Sequence, residues 1–141
     1  MVDHIHIHVY TDGASRKNPG PSAIGVVFLD EQGNFIAEHK ECIGIGTNNE
    51  AEYKAILKAL ELGTNYCRRK ISIFSDSELV VNQLTGAYAI KKNHLRNLCI
   101  LVKDREKLYD EVIYNNVPRE NKNISRADKL SNEALDGQYG L

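Results

Sequence analysis

Val9-Tyr10-Thr11-Asp12-Gly13-Ala14-Ser15-Arg16-Lys17-Asn18-Pro19-Gly20-Pro21 is the stretch on which the reading of this chain turns. An alternating apolar run leads straight into a segment rich in Gly and Pro, which predicts a strand followed by a turn. From His4 to Asp12, Ile5, Ile7, Val9 and Thr11 share one strand face, and His4, His6, His8, Tyr10 and Asp12 share the other. Asp12 is thereby expected to be the last side chain before the backbone turns away. Alone, Asp12-Gly13 also reads as an ordinary turn dipeptide. A functional carboxylate at this point needs others that converge on it.

At 141 residues, one domain covering residues 1–141 is the expectation. Hydrophobic residues make up 42% and charged residues 26%, average values for a globular chain. No apolar run is long enough to span a membrane, and the N-terminal residues lack the pattern of a signal peptide, so a cytoplasmic protein is expected. Cys42, Cys67 and Cys99 are an odd number with no close-set pair, which fits neither a disulfide framework nor a zinc site. With a formal net charge of −1, a nucleic-acid partner is not held by bulk charge, and any such binding has to be local.

Residues 23–30 are β-rich, and the polar, Gly-containing turn after them leads to a third strand over 35–43, making an antiparallel meander. Thr47 opens a helix that closes on Gly63, with capping residues at its start. A short strand follows over 70–76, then a short helix over 77–84 stopped by Gly86. Residues 93–109 form an amphipathic helix with Leu95, Leu98, Cys99, Val102 and Tyr109 on one stripe. A last strand spans 112–117, and a closing helix 125–136. This order predicts an α/β fold, a mixed sheet covered by helices.

Three further acids can join Asp12. Glu52 shares its helix face with Ile56, Ala59 and Gly63, at i+4, i+7 and i+11, and a carboxylate on a packing face needs a partner, a metal or the edge of a cleft. Glu50 and Glu61 point elsewhere as solvated charges. Asp76 ends its strand as Asp12 does, or simply caps the next helix. If the first and fourth strands are parallel neighbours, their carboxyl ends coincide where ligands of open α/β sheets bind. Asp128 fits N3 of a capping box, Ser125-Arg126-Ala127-Asp128, as readily as a site. Several carboxylates in one place suit Mg²⁺ or Mn²⁺, and two such ions about 3.5 to 4 Å apart form a clamp for displacement at phosphate.

Together these stretches resemble ribonuclease H type 1. The matching residues are Tyr10-Thr11-Asp12-Gly13-Ala14-Ser15 with Asn18-Pro19-Gly20-Pro21, Thr47-Asn48-Asn49 with Glu52, Ser75-Asp76-Ser77, and Ala127-Asp128. The resemblance implies a five-stranded mixed sheet, three antiparallel strands plus two parallel, with helices on both faces. It implies metal-dependent cleavage of the RNA strand of RNA/DNA hybrids to 5′-phosphate and 3′-hydroxyl ends. Asp12, Glu52, Asp76 and Asp128 become the catalytic acids, holding two Mg²⁺ with Mn²⁺ as a substitute. Gly13, Asn18, Asn48 and Asn49 match positions that touch the hybrid, and Thr47 and Asn93 match a DNA-phosphate pocket. A monomer acting away from membranes is expected.

Two departures from the well-studied bacterial members stand out. Residues 117–125 contain no His, and Arg119 and Glu120 stand in its place, as in the archaeal-like branch; Arg119 is then a candidate phosphate contact. Residues 86–94 supply only Lys91, Lys92 and His94 where those members insert a basic helix, which predicts weak substrate binding. His4, His6 and His8 either bind a transition metal or half-cover a strand, and no fourth ligand is evident. The competing functions are a non-catalytic nucleic-acid-binding domain, which would normally lack one of the acids, and another nuclease of the same fold such as a junction resolvase.

Overall fold

A computed structural model of the chain describes residues 4–140. In chain order the elements are β1 (His6–Ser15), β2 (Gly20–Asp30), β3 (Phe35–Gly46), α1 (Asn48–Gly63), β4 (Lys70–Ser75), α2 (Glu78–Leu84), α3 (Asn93–Glu106), β5 (Glu111–Asn116) and α4 (Lys122–Tyr139). The strands form one sheet in the order β3-β2-β1-β4-β5. β1 pairs antiparallel with β2 and parallel with β4, β2 pairs antiparallel with β3, and β4 pairs parallel with β5. This is the expected mixed sheet, three antiparallel strands extended by two parallel ones, with helices on both faces.

Alternation on the strands assigns the two cores. Ile7, Val9, Val26, Phe28, Ile71 and Ile73 pack with Tyr53, Ile56 and Leu60 of α1, Leu84 of α2 and Val102 of α3. The opposite strand face presents Val27, Leu29 and Tyr10 to Ala127 and Leu130 of α4. Because both its faces are covered, β2 is buried continuously from Ser22 to Leu29.

Several boundaries differ from the expectations in instructive ways. β1 does not stop at Asp12 but continues in antiparallel register with β2 to Ser15; its parallel pairing with β4 ends at Tyr10↔Phe74. Asp12 is therefore beyond the end of one neighbour while still paired to the other. Ile5, expected to share a strand face with Ile7, Val9 and Thr11, precedes the strand and is 69% exposed. Gly63 is the last residue of α1 and is needed for space: a Cβ there would come within 2.5 Å of the Tyr109 hydroxyl, which donates to the Leu60 carbonyl at 2.6 Å. α4 begins about a turn before residue 125, capped by Asn121, whose side chain accepts from the N–H groups of Asn123 and Ile124. Ser125 is inside the helix, so the capping-box reading of Asp128 is wrong, and Asp128 projects from the second turn. Glu50 is not merely solvated, because with Thr47 it forms the capping box of α1. Asp76 does not cap α2; Ser77 does.

Candidate active site

The last parallel pair, Tyr10↔Phe74, places Asp12 and Asp76 in equivalent positions, each two residues further along the chain, Asp12 still within β1 and Asp76 just after β4. The Tyr10 and Phe74 rings stack with centroids 4.5 Å apart, a floor beneath the two acids. Glu52 comes from the first turns of α1, on the face that also buries Ile56, Ala59 and Gly63. Its Oε1 accepts the backbone N–H of Gly13 at 2.8 Å. That contact requires α1 to approach β1 backbone to backbone: a Cβ on Gly13 would lie 2.2 Å from the carbonyl carbon of Ala51. One carboxylate oxygen from each of Asp12, Glu52 and Asp76 lies within 4.8 Å of the others.

Asp128 reaches the same place from the other side of the sheet and stands outside that tight group. It lies close enough to Asp12 for its charge to raise the pKa of the Asp12 carboxyl. A second glycine makes this possible, since Gly25 is the β2 partner of Asp12 and a Cβ there would sit 2.0 Å from the Ala127 carbonyl oxygen. Ser131 and Asn132, one turn further along α4, contact Asp12 and Asp128 respectively.

The electrostatics follow from this crowding. Burial, then the charges of Asp128 and Asp76, push Asp12 up to about 8. Glu52 is raised well above the usual carboxylate range by burial and by Asp12 and Asp76, and the Gly13 N–H opposes this only in part. None of the ion pairs among the described residues includes Asp12, Glu52, Asp76 or Asp128. Crowded acids with no salt-bridge partner among the described residues are what a cation would relieve. An all-carboxylate donor set suits a hard, oxygen-seeking ion such as Mg²⁺ or Mn²⁺.

The acids line a cavity of about 280 Å³ together with Gly13, Asn48, Asn49 and Arg119. Ala14 and Ser77 line it as well; both belong to the matching motif stretches, where neither was assigned a role in the site. Glu120, Asn18, Thr47 and Asn93 do not line it. Asn18 and Asn48 instead direct their side-chain oxygens to backbone, Asn18 Oδ1 accepting the Asn48 N–H at 2.9 Å and Asn48 Oδ1 the Ser15 N–H at 2.8 Å. Thr47 caps α1, and Asn93 is the exposed first residue of α3. Asn49 also borders a neighbouring cleft of about 580 Å³ with Leu79, Gln83, Tyr88, Lys91 and Lys92.

Among the described residues the His face contributes to no group able to hold a metal. His6 engages both ring nitrogens, with Ser72 Oγ at 2.7 Å and Glu31 Oε2 at 3.0 Å, and its ring packs edge-on against that of His8. Among the described residues the group able to hold a metal is the carboxylate one.

A three-plus-two sheet of this order, with acids from β1, α1 and the residue after β4 gathered where the parallel pairing of β1 and β4 ends, defines the class of proteins with a ribonuclease H-like fold. The family described as "Reverse transcriptase-like" matches residues 10–134. The chain is 42% identical over 130 residues to the Ribonuclease HI of Halobacterium salinarum, covering 92% of this chain and 64% of that relative. It thus spans less than two thirds of that curated relative's length. The crystal structure of RNase H1 from the same halophilic archaeon superposes with a TM-score of 0.89 at 41% identity, over 94% of this chain and 98% of that one. LC11-RNase H1, solved in complex with RNA/DNA hybrid, gives a TM-score of 0.85 at 40% identity, covering 93% of this chain and 97% of that one. The chain belongs to the ribonuclease H type 1 family.

Proposed function

We propose that the chain is a metal-dependent endoribonuclease that cleaves the RNA strand of RNA/DNA hybrids, leaving 5′-phosphate and 3′-hydroxyl ends. The observation that carries this reading is the convergence of Asp12, Glu52 and Asp76 within 4.8 Å just past the point where the parallel pairing of β1 and β4 ends. These three, with Asp128 beside Asp12, hold two Mg²⁺ in this reading, and Mn²⁺ can take their place. Bound there, the ions supply Lewis acidity at the scissile phosphate and a more acidic attacking water.

The chain's own groups hold and orient. The Gly13 N–H fixes one oxygen of Glu52, itself a lining residue of the cavity. Arg119, exposed at the cavity rim, places a permanently charged fork where a phosphate oxygen enters. Gly13, Asn48 and Asn49 meet the hybrid beside the acids, where a 2′-hydroxyl distinguishes RNA from DNA. Asn18 orients Asn48. Thr47 and Asn93, with Lys91 and Lys92 along the neighbouring cleft, take the DNA strand. With so few cations available, affinity is modest and depends weakly on salt. In this reading residues 1–141 act as one monomeric domain in the cytoplasm; among the described residues no helix is long and apolar enough to cross a membrane.

The test is a cleavage assay on an RNA/DNA hybrid, duplex DNA, duplex RNA and branched DNA, each with and without Mg²⁺. Cleavage confined to the RNA of the hybrid and dependent on the metal supports the reading. Preference for branched DNA identifies a junction resolvase, and binding without cleavage identifies a non-catalytic module.

A further inference from the structure

Asp12 and Asp128 approach each other from opposite elements, and what holds them is the next turn of α4. Ser131 is fully buried, and its Oγ lies 2.8 Å from the Asp128 main-chain oxygen and 3.4 Å from Asp12 Oδ2. A hydroxyl has one proton to donate, so these acceptors compete for it. Asn132 resolves the competition. Its Nδ2 donates to the same Asp128 carbonyl at 3.0 Å and to Asp128 Oδ1 at 3.3 Å, one proton for each. With that carbonyl already served, the Ser131 proton is available to Asp12, and a carboxylate is a stronger acceptor than a neutral carbonyl.

The turn that carries these two donors is itself anchored to the strand that carries Asp12. Arg16, immediately after β1, directs Nη2 to the Asn132 carbonyl at 3.4 Å and to Asp136 Oδ1 at 2.5 Å. Its backbone N–H is tied to the Pro21 carbonyl across the β1–β2 turn at 2.8 Å. The helix is thereby registered against β1 at the level of the site.

We propose that Ser131 and Asn132 are positioning residues for metal binding, Ser131 orienting the Asp12 carboxylate and Asn132 the Asp128 carboxylate. The inference rests on the reading of the four acids as metal ligands given above. Partners that orient ligating groups are typically worth about 10- to 100-fold in metal affinity or activity. A merely structural role predicts something different. Ser within a helix, bonding back to a carbonyl, is mildly unfavourable, so Ser131→Ala does not lower stability on that account.

The experiment is a calorimetric titration of the full chain with Mn²⁺ in the absence of nucleic acid, paired with thermal unfolding in chelator. Ser131→Ala removes the hydroxyl, Ser131→Cys keeps the volume with a weak donor, and Asn132→Leu keeps the bulk without the amide. Each is expected to weaken Mn²⁺ binding by about tenfold or more, and both Ser131 variants unfold in chelator at or above the wild-type temperature. On a hybrid substrate the Mg²⁺ concentration for half-maximal rate rises by a similar factor, while the rate at saturating metal changes little. If the wild type binds Mn²⁺ and the variants bind it equally well, or if Ser131→Ala loses its folding transition in chelator, the positioning role is overturned and the site reading stands. If the wild type binds no Mn²⁺, the reading of the site falls and the positioning role with it.

Discussion

The backbone N–H of Gly13 donates to Oε1 of Glu52 at 2.8 Å, joining the strand that carries Asp12 to the helix that carries Glu52. Two acids distant in sequence are thus fixed to one another by a main-chain donor. The contact depends on the missing side chain, because a Cβ would fall 2.2 Å from the Ala51 carbonyl carbon and 2.5 Å from the Glu52 nitrogen. Neither atom belongs to a flexible side chain. Gly13→Ala is expected to destabilise the protein by about 1–3 kcal/mol, the usual cost of overpacking, and to lower activity as Glu52 shifts. Denaturant unfolding and the hybrid-cleavage rate measure the two effects. Retention of both would show that α1 moves aside freely.

Gly25 is the counterpart on the other side of the sheet. Its absent Cβ admits the Ala127 carbonyl and so brings Asp128 to Asp12. Gly25→Ala is expected to lift α4 locally, at a cost of about 1–3 kcal/mol, and to reduce metal affinity without altering Asp12, Glu52 or Asp76. Undiminished Mn²⁺ affinity in that variant would remove Asp128 from the metal-holding group.

The part of this site that the sequence reveals is the part carried by single elements. Alternation along β1 and β4 places Asp12 and Asp76 on matching strand faces, although β1 runs on to Ser15, and helical spacing places Glu52 on the buried face of α1. Asp128 was harder, because Ser125 to Asp128 imitates a helix start, while the cap at Asn121 lies across a polar loop with no such pattern. Gly25, Ser131 and Asn132 carry no local signal at all. Their roles come from the distance between α4 and the sheet, which periodicity within one element does not encode. Gly63 ends α1 as its sequence position indicates, but its second role, making room for the Tyr109 hydroxyl, depends on packing and leaves no local signal.

Crowding of the acids gives a pH dependence with a definite sign. Asp12 is held up to about 8 in the folded chain, against about 4 when unfolded. Between these values the folded state binds more protons than the unfolded state, so metal-free stability falls as pH rises through that window and levels above it. Each unit of difference is worth about 1.4 kcal/mol, shared here with the other acids. Asp12→Asn is expected to be more stable than the wild type at pH 8 in chelator by at least about 1 kcal/mol, with a smaller difference near pH 5. Chemical denaturation at the two pH values is the measurement. A variant less stable than wild type at pH 8 would make Asp12 a structural residue.

Arg119 and Glu120 occupy neighbouring positions but only Arg119 lines the cavity. Arg119→Ala is expected to lower the cleavage rate by about tenfold, less than the loss on removing a buried oxyanion donor, roughly 10²–10³. Glu120→Ala should change it little. No His lines the cavity, so the rate profile from about pH 5.5 to 9.5 should contain no ionisation near the ordinary His value of about 6.5. A Glu120→Ala variant weaker than Arg119→Ala would reverse this assignment.

Whether Asp12, Glu52 and Asp76 act as one metal-holding group on the RNA of a hybrid is decided by single-turnover cleavage of an end-labelled RNA/DNA hybrid in saturating Mg²⁺. The wild type is compared with Asp12→Asn, Glu52→Gln and Asp76→Asn, each first verified as folded in chelator. The account predicts 5′-phosphate and 3′-hydroxyl products from the wild type and a loss of about 10³-fold or more in each variant, a single common deficit because residues acting as a unit are not additive. A folded variant of any one of the three that cleaves within about tenfold of the wild type, well inside that deficit, would contradict it.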